Sequence, residues 1–325
     1  MQNNLLYNLR GIYFLLRQRH HSLEKRLSTL LKTFENDLES IAKRVHYYCN
    51  FTPAATLPTK QGKKQILQNG SRYCFDLYEY MRFFDPKLAF HLESGDVNYP
   101  TPIPSFCKSR PITPHPSNNI ILKLDKKRHF RFLNPAMLKP EYPKKLDKVF
   151  FRGGCYQPHR KDFMRKFFSH KLIDAGHVGE LRDSELASWH KGKATLQAHL
   201  ECKFILSLEG YDVATNLKWI MSSNSIALMP KPKFETWFME GTLIPNQHFL
   251  CIKEDFSDLE SQVAYLLEHP DHARQIINNA NAHIKQFQNA QKEDLISLLV
   301  LRKYFYETNQ MKVSEVEEAL FKPRE

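Results

Sequence analysis

Two short stretches carry residue types suited to holding phosphate and sugar groups. The first, FRGGCYQPHR (151–160), puts Arg152, Gly153 and Gly154 at the end of an apolar run, with Arg160 a few residues later. Adjacent glycines let backbone N–H groups approach a ligand closely, and arginine offers forked donors that suit phosphate. A tight turn flanked by solvated basic residues explains the same residues equally well.

The second stretch, SLEGYDVATNLKWIMSSNS (207–225), follows the end of an apolar strand pattern. Its candidate ligand-binding residues are Glu209, Gly210, Thr215, Asn216 and Lys218. A carboxylate at a strand end can accept sugar hydroxyls, and a helix N-terminus with a nearby lysine can hold a diphosphate. The alternative is an ordinary helix cap made by Asp212 or Thr215. Two such loops in one sheet favour a nucleotide site.

Asp96, in SGDVNYP, is the candidate general base. It lies on a proline-rich segment whose stiffness would fix it, and Lys108 and Arg110 follow as candidate acceptor or phosphate contacts. A general base must lie within hydrogen-bond reach of the proton that it removes. An aspartate after glycine is also a common turn residue, and that interpretation stays open.

Signals for metal sites and membrane spans are absent from the sequence. The six cysteines are scattered without a CxxC pair, and no D-x-D follows an apolar strand, because Asp183-Ser184-Glu185 stands in polar sequence. We therefore expect no metal and no other cofactor. No apolar run reaches the length of a membrane span, and the start lacks a signal-peptide pattern, so we expect a cytoplasmic protein.

The charge of the chain predicts an anionic partner. Its 325 residues include 47 Lys+Arg and 35 Asp+Glu, a formal net charge of +12. Nucleic acid, an acidic membrane surface, phosphorylated glycans and nucleotide phosphates all fit such a balance. A nucleic-acid-binding protein using the basic run KKRHFRF (126–132) is one alternative, although no RNA-binding or helix-turn-helix motif accompanies it.

Three regions differ in their patterns. Residues 1–49 have the apolar spacing of helices, and the first twenty combine leucines with Arg10, Arg17 and Arg19. That segment packs on its own domain, on a dimer partner or on a membrane surface. Residues 50–118 are rich in proline. After 147, short apolar runs alternate with helical patterns, which predicts a parallel sheet whose ligands bind at the carboxyl ends of the strands.

The order of these motifs resembles glycosyltransferase family 90 over about residues 90–288. The resemblance rests on IPSFCKSRPI, NNIILKLDKKRHF, VFFRGG, LIDAG and the long stretch that begins CKFILSLEG. The family groups bacterial lipopolysaccharide-core glycosyltransferases with fungal capsule xylosyltransferases and Rumi-type protein O-glucosyltransferases, and the bacterial branch is the most similar.

The resemblance implies a GT-B-like α/β fold, with two Rossmann-like domains facing a cleft and an added helical N-terminus. The expected segments are 1–49 (helical), 50–146 (acceptor side, joined by a helix in 290–325) and 147–289 (nucleotide-sugar donor domain). The implied reaction is an inverting, metal-independent transfer from a UDP-sugar. Asp96 matches the catalytic aspartate of Rumi-type members and would deprotonate the acceptor hydroxyl.

Several positions match the family's donor-binding motifs, namely Arg152, Gly153, Glu209, Gly210, Lys218 and Ser225. The chain departs from the pattern at Asn216, where Rumi-type members have an arginine expected to contact the diphosphate. Arg152, Arg160 and Lys218 are then the candidate sources of positive charge.

The expected function is hexose transfer from UDP-glucose or UDP-galactose to a lipopolysaccharide inner-core hydroxyl. The expected setting is the cytoplasm or the inner face of the bacterial inner membrane, with no nucleic-acid partner and with a homodimer left open. The alternatives are the same chemistry on a capsule glycan or a protein, or the basic nucleic-acid-binding protein. The transferred sugar and the linkage do not follow from the sequence.

Overall fold

The structure, a computed structural model, describes residues 4–17, 19, 22–52, 71–129, 131–134 and 137–322. Parts of the expected segments 1–49, 50–146 and 290–325 lie outside these described residues, as does position 130 of the basic run. The chain divides into two compact units: 1–130 with 234–239 and 287–325, and 131–233 with 240–286. Residues 131–146, expected on the acceptor side, thus belong to the second unit.

The described α-helices are α1 (Asn4–Leu16), α2 (Leu23–Thr33), α3 (Leu38–Tyr48), α4 (Ser71–Met81), α5 (Lys126–His129), α6 (Pro158–Phe167), α7 (Ser184–Ser188), α8 (Leu196–Leu200), α9 (Leu217–Met221), α10 (Leu259–Glu268), α11 (Pro270–Lys285), α12 (Ala290–Glu307) and α13 (Glu315–Phe321). The described strands are β1 (His91–Leu92), β2 (Ser105–Cys107), β3 (Ser109–Pro111), β4 (Asn119–Ile121), β5 (Leu146–Gly153), β6 (Ile173–His177), β7 (Cys202–Leu206), β8 (Ile226–Met229), β9 (Phe234–Thr236) and β10 (Leu250–Cys251).

The second unit is built on a five-stranded parallel sheet in the order β10-β8-β7-β5-β6. This confirms the parallel α/β arrangement expected from the alternating pattern. β5 lies between β6 and β7. The chain passes from β5 to β6 on one side of it and then crosses to β7 on the other side. The carboxyl ends of β5 and β7 therefore meet at a topological switch point, where open parallel sheets bind their ligands.

The core of the second unit follows from the apolar strands. Val149 and Phe151 point to one face of β5, where Phe163 and Phe167 of α6 cover them. Phe204 and Leu206 of β7 belong to the same buried cluster. Every second residue of these strands points to this buried face. A slip of one residue would expose the apolar side chains, so burial fixes the pairing register of the strands and the points at which the loops begin.

The first unit contains two small sheets beside a set of helices. Its parallel sheet has the order β1-β2-β4, and β3 pairs with β9 in antiparallel fashion. Helix α12 contacts α2, α3 and α4, and most of its middle is buried. Arg44 of α3 and Lys123 both bind the carboxylate of Glu293 on α12. Buried charges of this kind are tolerated because they are paired.

The proline-rich stretch takes an extended path fixed by side-chain hydrogen bonds. The Asn119 amide accepts from the backbone N–H of Thr101 (3.0 Å) and donates to the carbonyl of Tyr99 (3.0 Å).

Within the described ranges, no helix is long and apolar enough to cross a membrane.

Candidate functional site

The loop after β5 needs glycine because its backbone is crowded. A Cβ added to Gly154 would lie 2.7 Å from the ring of Tyr156, and one on Gly153 would lie 3.0 Å from the ring of Phe151. The first distance is too short for a real Cβ, so glycine at position 154 permits the close approach of the Tyr156 ring. Close approach of the backbone was the sequence prediction; here the close neighbour is an aromatic ring of the chain itself.

Arg160 of α6 joins the two loops at the switch point. Its Nε donates to the carbonyl of Glu209 (2.8 Å), one terminal nitrogen donates to that of Gly154 (2.8 Å), and the other to that of Leu208 (2.5 Å). Nε2 of His159 also donates to the Glu209 carbonyl (2.9 Å). Burial lowers the pKa of Arg160. The structure thus brings the FRGG and SLEG loops together through one guanidinium.

Arg152 lies on the other face of β5 from the core. Its guanidinium donates to Oδ1 of Asp174 on β6 (2.9 Å), and Lys191 pairs with the same oxygen (2.9 Å). Burial would raise the pKa of Asp174, but hydrogen bonds from Lys191 and Arg152 outweigh it and leave the pKa lowered. Much of the charge of Arg152 is therefore compensated within the sheet.

The carboxylate of Glu209 is held at the strand end by a backbone group. Its Oε1 accepts from the N–H of Lys233 (2.9 Å), and both Glu209 and Gly210 are half-buried. The N–H of Gly210 donates to the carbonyl of Asp212 (2.9 Å), which closes a tight turn. This turn precedes the start of α9.

The start of α9 is tied to the end of β7. Asn216 accepts from the hydroxyl of Ser207 (3.0 Å) and donates to the carbonyl of Leu206 (3.1 Å), while Thr215 is exposed. Asn216 thus fixes the strand-to-helix connection, and it provides no charge where the family pattern has arginine. Asn216 is the N-cap residue of α9, and its side chain makes no cap hydrogen bond to this helix.

Lys218 and Ser225 are less accessible than the sequence suggested. Lys218 is 1% exposed and its Nζ lies 2.8 Å from Oε1 of Glu240, which is equally buried. Ser225 donates to the carbonyl of Cys202, the first residue of β7, at 2.8 Å. It therefore lies at the amino edge of the sheet, opposite the FRGG and SLEG loops. The donor-binding roles of Lys218 and Ser225 stay predictions. The contact of Ser225 with Cys202 places it away from the residues of the FRGG and SLEG loops.

In the first unit, charged side chains follow the carboxyl end of each of the three parallel strands. Asp96 follows β1, Lys108 follows β2 and Asp125 follows β4. Lys108 is fully buried and its Nζ lies 2.5 Å from Oδ1 of Asp96, whose side chain remains 28% exposed. The Ser109 hydroxyl bonds both the N–H and the carbonyl of Val97, which fixes the loop. A buried ammonium thus orients a carboxylate that solvent still reaches.

Asp125 is a further candidate site residue, which the sequence analysis missed. It is 1% exposed, has a φ of 51° and lies 3.3 Å from a terminal nitrogen of Arg128. Burial raises its pKa, while the charges of Arg128 and Lys108 act in the opposite direction. Its place after the run IILKL is the signal that would have identified it, by the same strand-end rule that selected Glu209.

Arg110 is engaged inside the first unit. Its Nε donates to Oε1 of Glu235 on β9 (2.7 Å), and a terminal nitrogen donates to the carbonyl of Tyr47 (2.8 Å). It is 6% exposed. These contacts fix β3 beside Lys108. A direct acceptor or phosphate contact by Arg110 stays a prediction.

Two members of the basic run 126–132 are engaged inside the first unit. Lys126 pairs with Glu79 (2.6 Å), and His129 is buried. In the parts of the chain that the structure describes, no three His, Cys, Asp or Glu residues are grouped so that they could hold a metal ion.

Comparison with known proteins identifies a family and several relatives. The profile of Glycosyl transferase family 90 matches residues 121–306. O-glucosyltransferase LpsA of Dichelobacter nodosus is 39% identical over 268 residues, 82% of this chain and 83% of that protein. Protein O-glucosyltransferase 3 of Rattus norvegicus is 26% identical over 249 residues, 70% of this chain and 46% of that protein.

The human Protein O-glucosyltransferase 3 is 25% identical over 174 residues, 51% of this chain and 33% of its own length. This chain therefore spans less than half the length of these two mammalian relatives. The family match covers more than half of the chain, and the bacterial relative agrees with it over most of both proteins. The chain belongs to glycosyl transferase family 90 and is a glycosyltransferase.

Proposed function

We propose that the protein transfers a hexose from a UDP-sugar to a hydroxyl of the lipopolysaccharide inner core, with inversion at the anomeric carbon. The observation that carries this proposal is the 39% identity to a bacterial protein named O-glucosyltransferase LpsA, across most of both chains. That name makes UDP-glucose the first donor to test and UDP-galactose the second.

The donor is proposed to bind at the carboxyl ends of β5 and β7. The supporting observation is the switch point, where Arg160 binds carbonyls from both loops. A guanidinium has further N–H groups beyond the three that serve carbonyls, and these can donate to a phosphate. Since Arg152 is paired with Asp174 and Lys218 with Glu240, Arg160 is our principal candidate for compensating the charge of the diphosphate.

Asp96 is proposed to act as the base. Its Oδ1 is occupied by Lys108, so the second oxygen would accept the proton of the acceptor hydroxyl. The acceptor oxygen then forms a bond to the anomeric carbon while the bond from that carbon to the UDP oxygen breaks. The electron pair leaves with UDP, whose negative charge is stabilised by positive groups and backbone N–H donors rather than by a metal.

We further propose the two-domain GT-B arrangement, with the second unit as the donor domain and the first as the acceptor domain. The five-stranded parallel sheet of the second unit and the carboxyl-end placement of Asp96 in the first support this assignment. A cytoplasmic location at the inner face of the bacterial inner membrane and a homodimer remain predictions from the sequence.

A protein hydroxyl is the second candidate acceptor, because the mammalian relatives are named protein O-glucosyltransferases. A capsule glycan is the third. The test is a transfer screen in which UDP-glucose and UDP-galactose are each combined with core oligosaccharides and with folded protein acceptors, without added metal. We expect a glycosylated product when a UDP-hexose is combined with core oligosaccharide. Transfer to protein alone would change the acceptor, and no turnover of either donor would overturn the donor assignment.

A further inference from the structure

The outward face of α1 is apolar although it is exposed. Gly11 and Phe14 of this helix are buried against the protein. The residues at the opposite positions of the helix have exposed fractions from 42% to 79%, and they are Leu5, Leu6, Leu9, Ile12, Tyr13 and Leu16. A surface helix normally carries polar residues on that side. Exposed apolar side chains collected on one helix face mark an interaction site.

The orientation of α1 is fixed by its inward face. A Cβ on Gly11 would lie 2.2 Å from the ring of Phe75 on α4, so only glycine permits this close packing. The hydroxyl of Tyr7 donates to Asp76 (3.0 Å) and Arg10 pairs with Glu79 (2.5 Å), both on α4. The apolar residues therefore point outwards because the helix is held that way.

The charges around α1 indicate what covers this face. The first 23 residues of the chain contain no Asp or Glu, and Arg10, Arg17 and Arg19 are all exposed. By helical spacing, Arg10 and Arg17 border the apolar face on the side of Leu6. Apolar residues bordered by cations are typical of helices that lie in the interface of an anionic bilayer. A symmetric contact between two copies would bring the same arginines together, which opposes that alternative.

We propose that the outward face of α1 docks on the surface of an anionic phospholipid bilayer. The leucines enter the boundary between headgroups and acyl chains, and Arg17 and Arg19 pair with lipid phosphates. Docking of this kind confines the enzyme to the plane in which a lipid-anchored acceptor is presented. None of the residues of this face is among the proposed donor and base residues, so the docking proposal is tested separately from the chemistry.

The test is binding of the full chain to vesicles of phosphatidylcholine, alone or with about one quarter phosphatidylglycerol. The triple variant Leu5→Ser, Leu9→Ser, Leu16→Ser should weaken binding to the anionic vesicles by about tenfold or more. The matched control is Leu181→Ser with Val316→Ser, which are each 54% exposed elsewhere on the chain and should bind as wild type does. A second variant, Arg17→Gln with Arg19→Gln, should weaken binding to anionic vesicles and reduce its salt dependence.

Retention of wild-type vesicle binding by both the leucine variant and the arginine variant would overturn the proposal, as would equal binding of the wild type to vesicles with and without phosphatidylglycerol. A wild-type dimer that the triple variant dissociates, without vesicle binding by either, would assign the face to a second copy instead. Transfer to a soluble core oligosaccharide should be unchanged in the triple variant. Unchanged transfer shows that the triple variant is folded. Absence of transfer by the wild-type protein would count against the proposed function and not against the docking proposal.

Discussion

Lys108 is the residue whose role can be isolated most cleanly. Its ammonium is fully buried and contacts Asp96, so the charge that orients this carboxylate comes from inside the first unit. Replacing it with methionine keeps the length of the side chain and removes the charge. Asp96 remains partly exposed, and the buried Asp125, which also feels the charge of Lys108, keeps Arg72 and Arg128 as charge partners after the substitution. An effect on turnover would therefore report on the orientation of Asp96.

We predict that Lys108→Met lowers kcat by about one to two orders of magnitude, at or below the lower end of the contribution of a general base, with little change in the KM for the donor. Lys108→Arg should recover part of the loss. The control is Lys43→Met, which breaks an exposed lysine–glutamate pair with Glu39 at 2.8 Å. Steady-state kinetics provide the measurement, and a Lys108→Met enzyme with wild-type kcat would contradict a positioning role.

At the scale of elements, a buried ion pair joins α9 to residue Glu240 within the second unit. Lys218 on α9 and Glu240 are each 1% exposed, and the Nζ to Oε1 distance is 2.8 Å. Removing one partner of a buried pair is costly because the other charge keeps its desolvation penalty. The same distance joins Lys233 and Glu254, but these side chains are 57% and 67% exposed.

Glu240→Gln should therefore lower the free energy of unfolding of the second unit by about 3–5 kcal/mol. Glu254→Gln should lower it by about 0–1 kcal/mol, because water screens the exposed pair. Urea denaturation followed by intrinsic fluorescence measures both changes. Equal effects of the two substitutions would show that the Lys218–Glu240 pair contributes nothing beyond an ordinary surface contact.

The packing of α1 on α4 predicts a dependence on pH. Burial raises the pKa of Asp76 to about 7, against a lowering by Lys126. The folded state therefore binds the proton more tightly than the unfolded state does, and this stability is lost as the pH rises from about 4 towards 7. The full effect of such a shift is up to about 4 kcal/mol.

Asp76→Asn removes this titration, so the variant should lose less stability than wild type between pH 5 and pH 8. The comparison of denaturation midpoints at several pH values tests it, because the other groups titrate in both proteins and cancel. Asp85→Asn, on an exposed turn outside the α1 and α4 packing, serves as the control. A wild-type decline that Asp76→Asn leaves unchanged would place the titrating group elsewhere.

At the scale of the whole molecule, the sequence predicted what depends on local pattern. Apolar runs alternating with helices are enough to predict the parallel sheet of the second unit, and the strand-end rule selected Glu209 and Gly154 because loops start where apolar runs stop. The charge partners could not be predicted. Glu240 is 22 residues from Lys218, and Glu235 is 125 residues from Arg110.

The segment 234–239 shows the same limit at a larger scale. It stands between strands of the second unit in the sequence, yet β9 pairs with β3 in the first unit. A short FET strand has no local feature that distinguishes this pairing from membership of the five-stranded sheet. Long-range pairing is decided by the packing of the whole chain, which a single sequence does not display.

The proposed function depends most on Asp96 as the base of a UDP-sugar-dependent transfer. The most direct measurement is turnover of the Asp96→Asn variant with the best donor and acceptor, alongside UDP binding by calorimetry. We expect a loss of about two to four orders of magnitude in kcat, with UDP affinity close to that of wild type. An Asp96→Asn enzyme that turns over at the wild-type rate would contradict it.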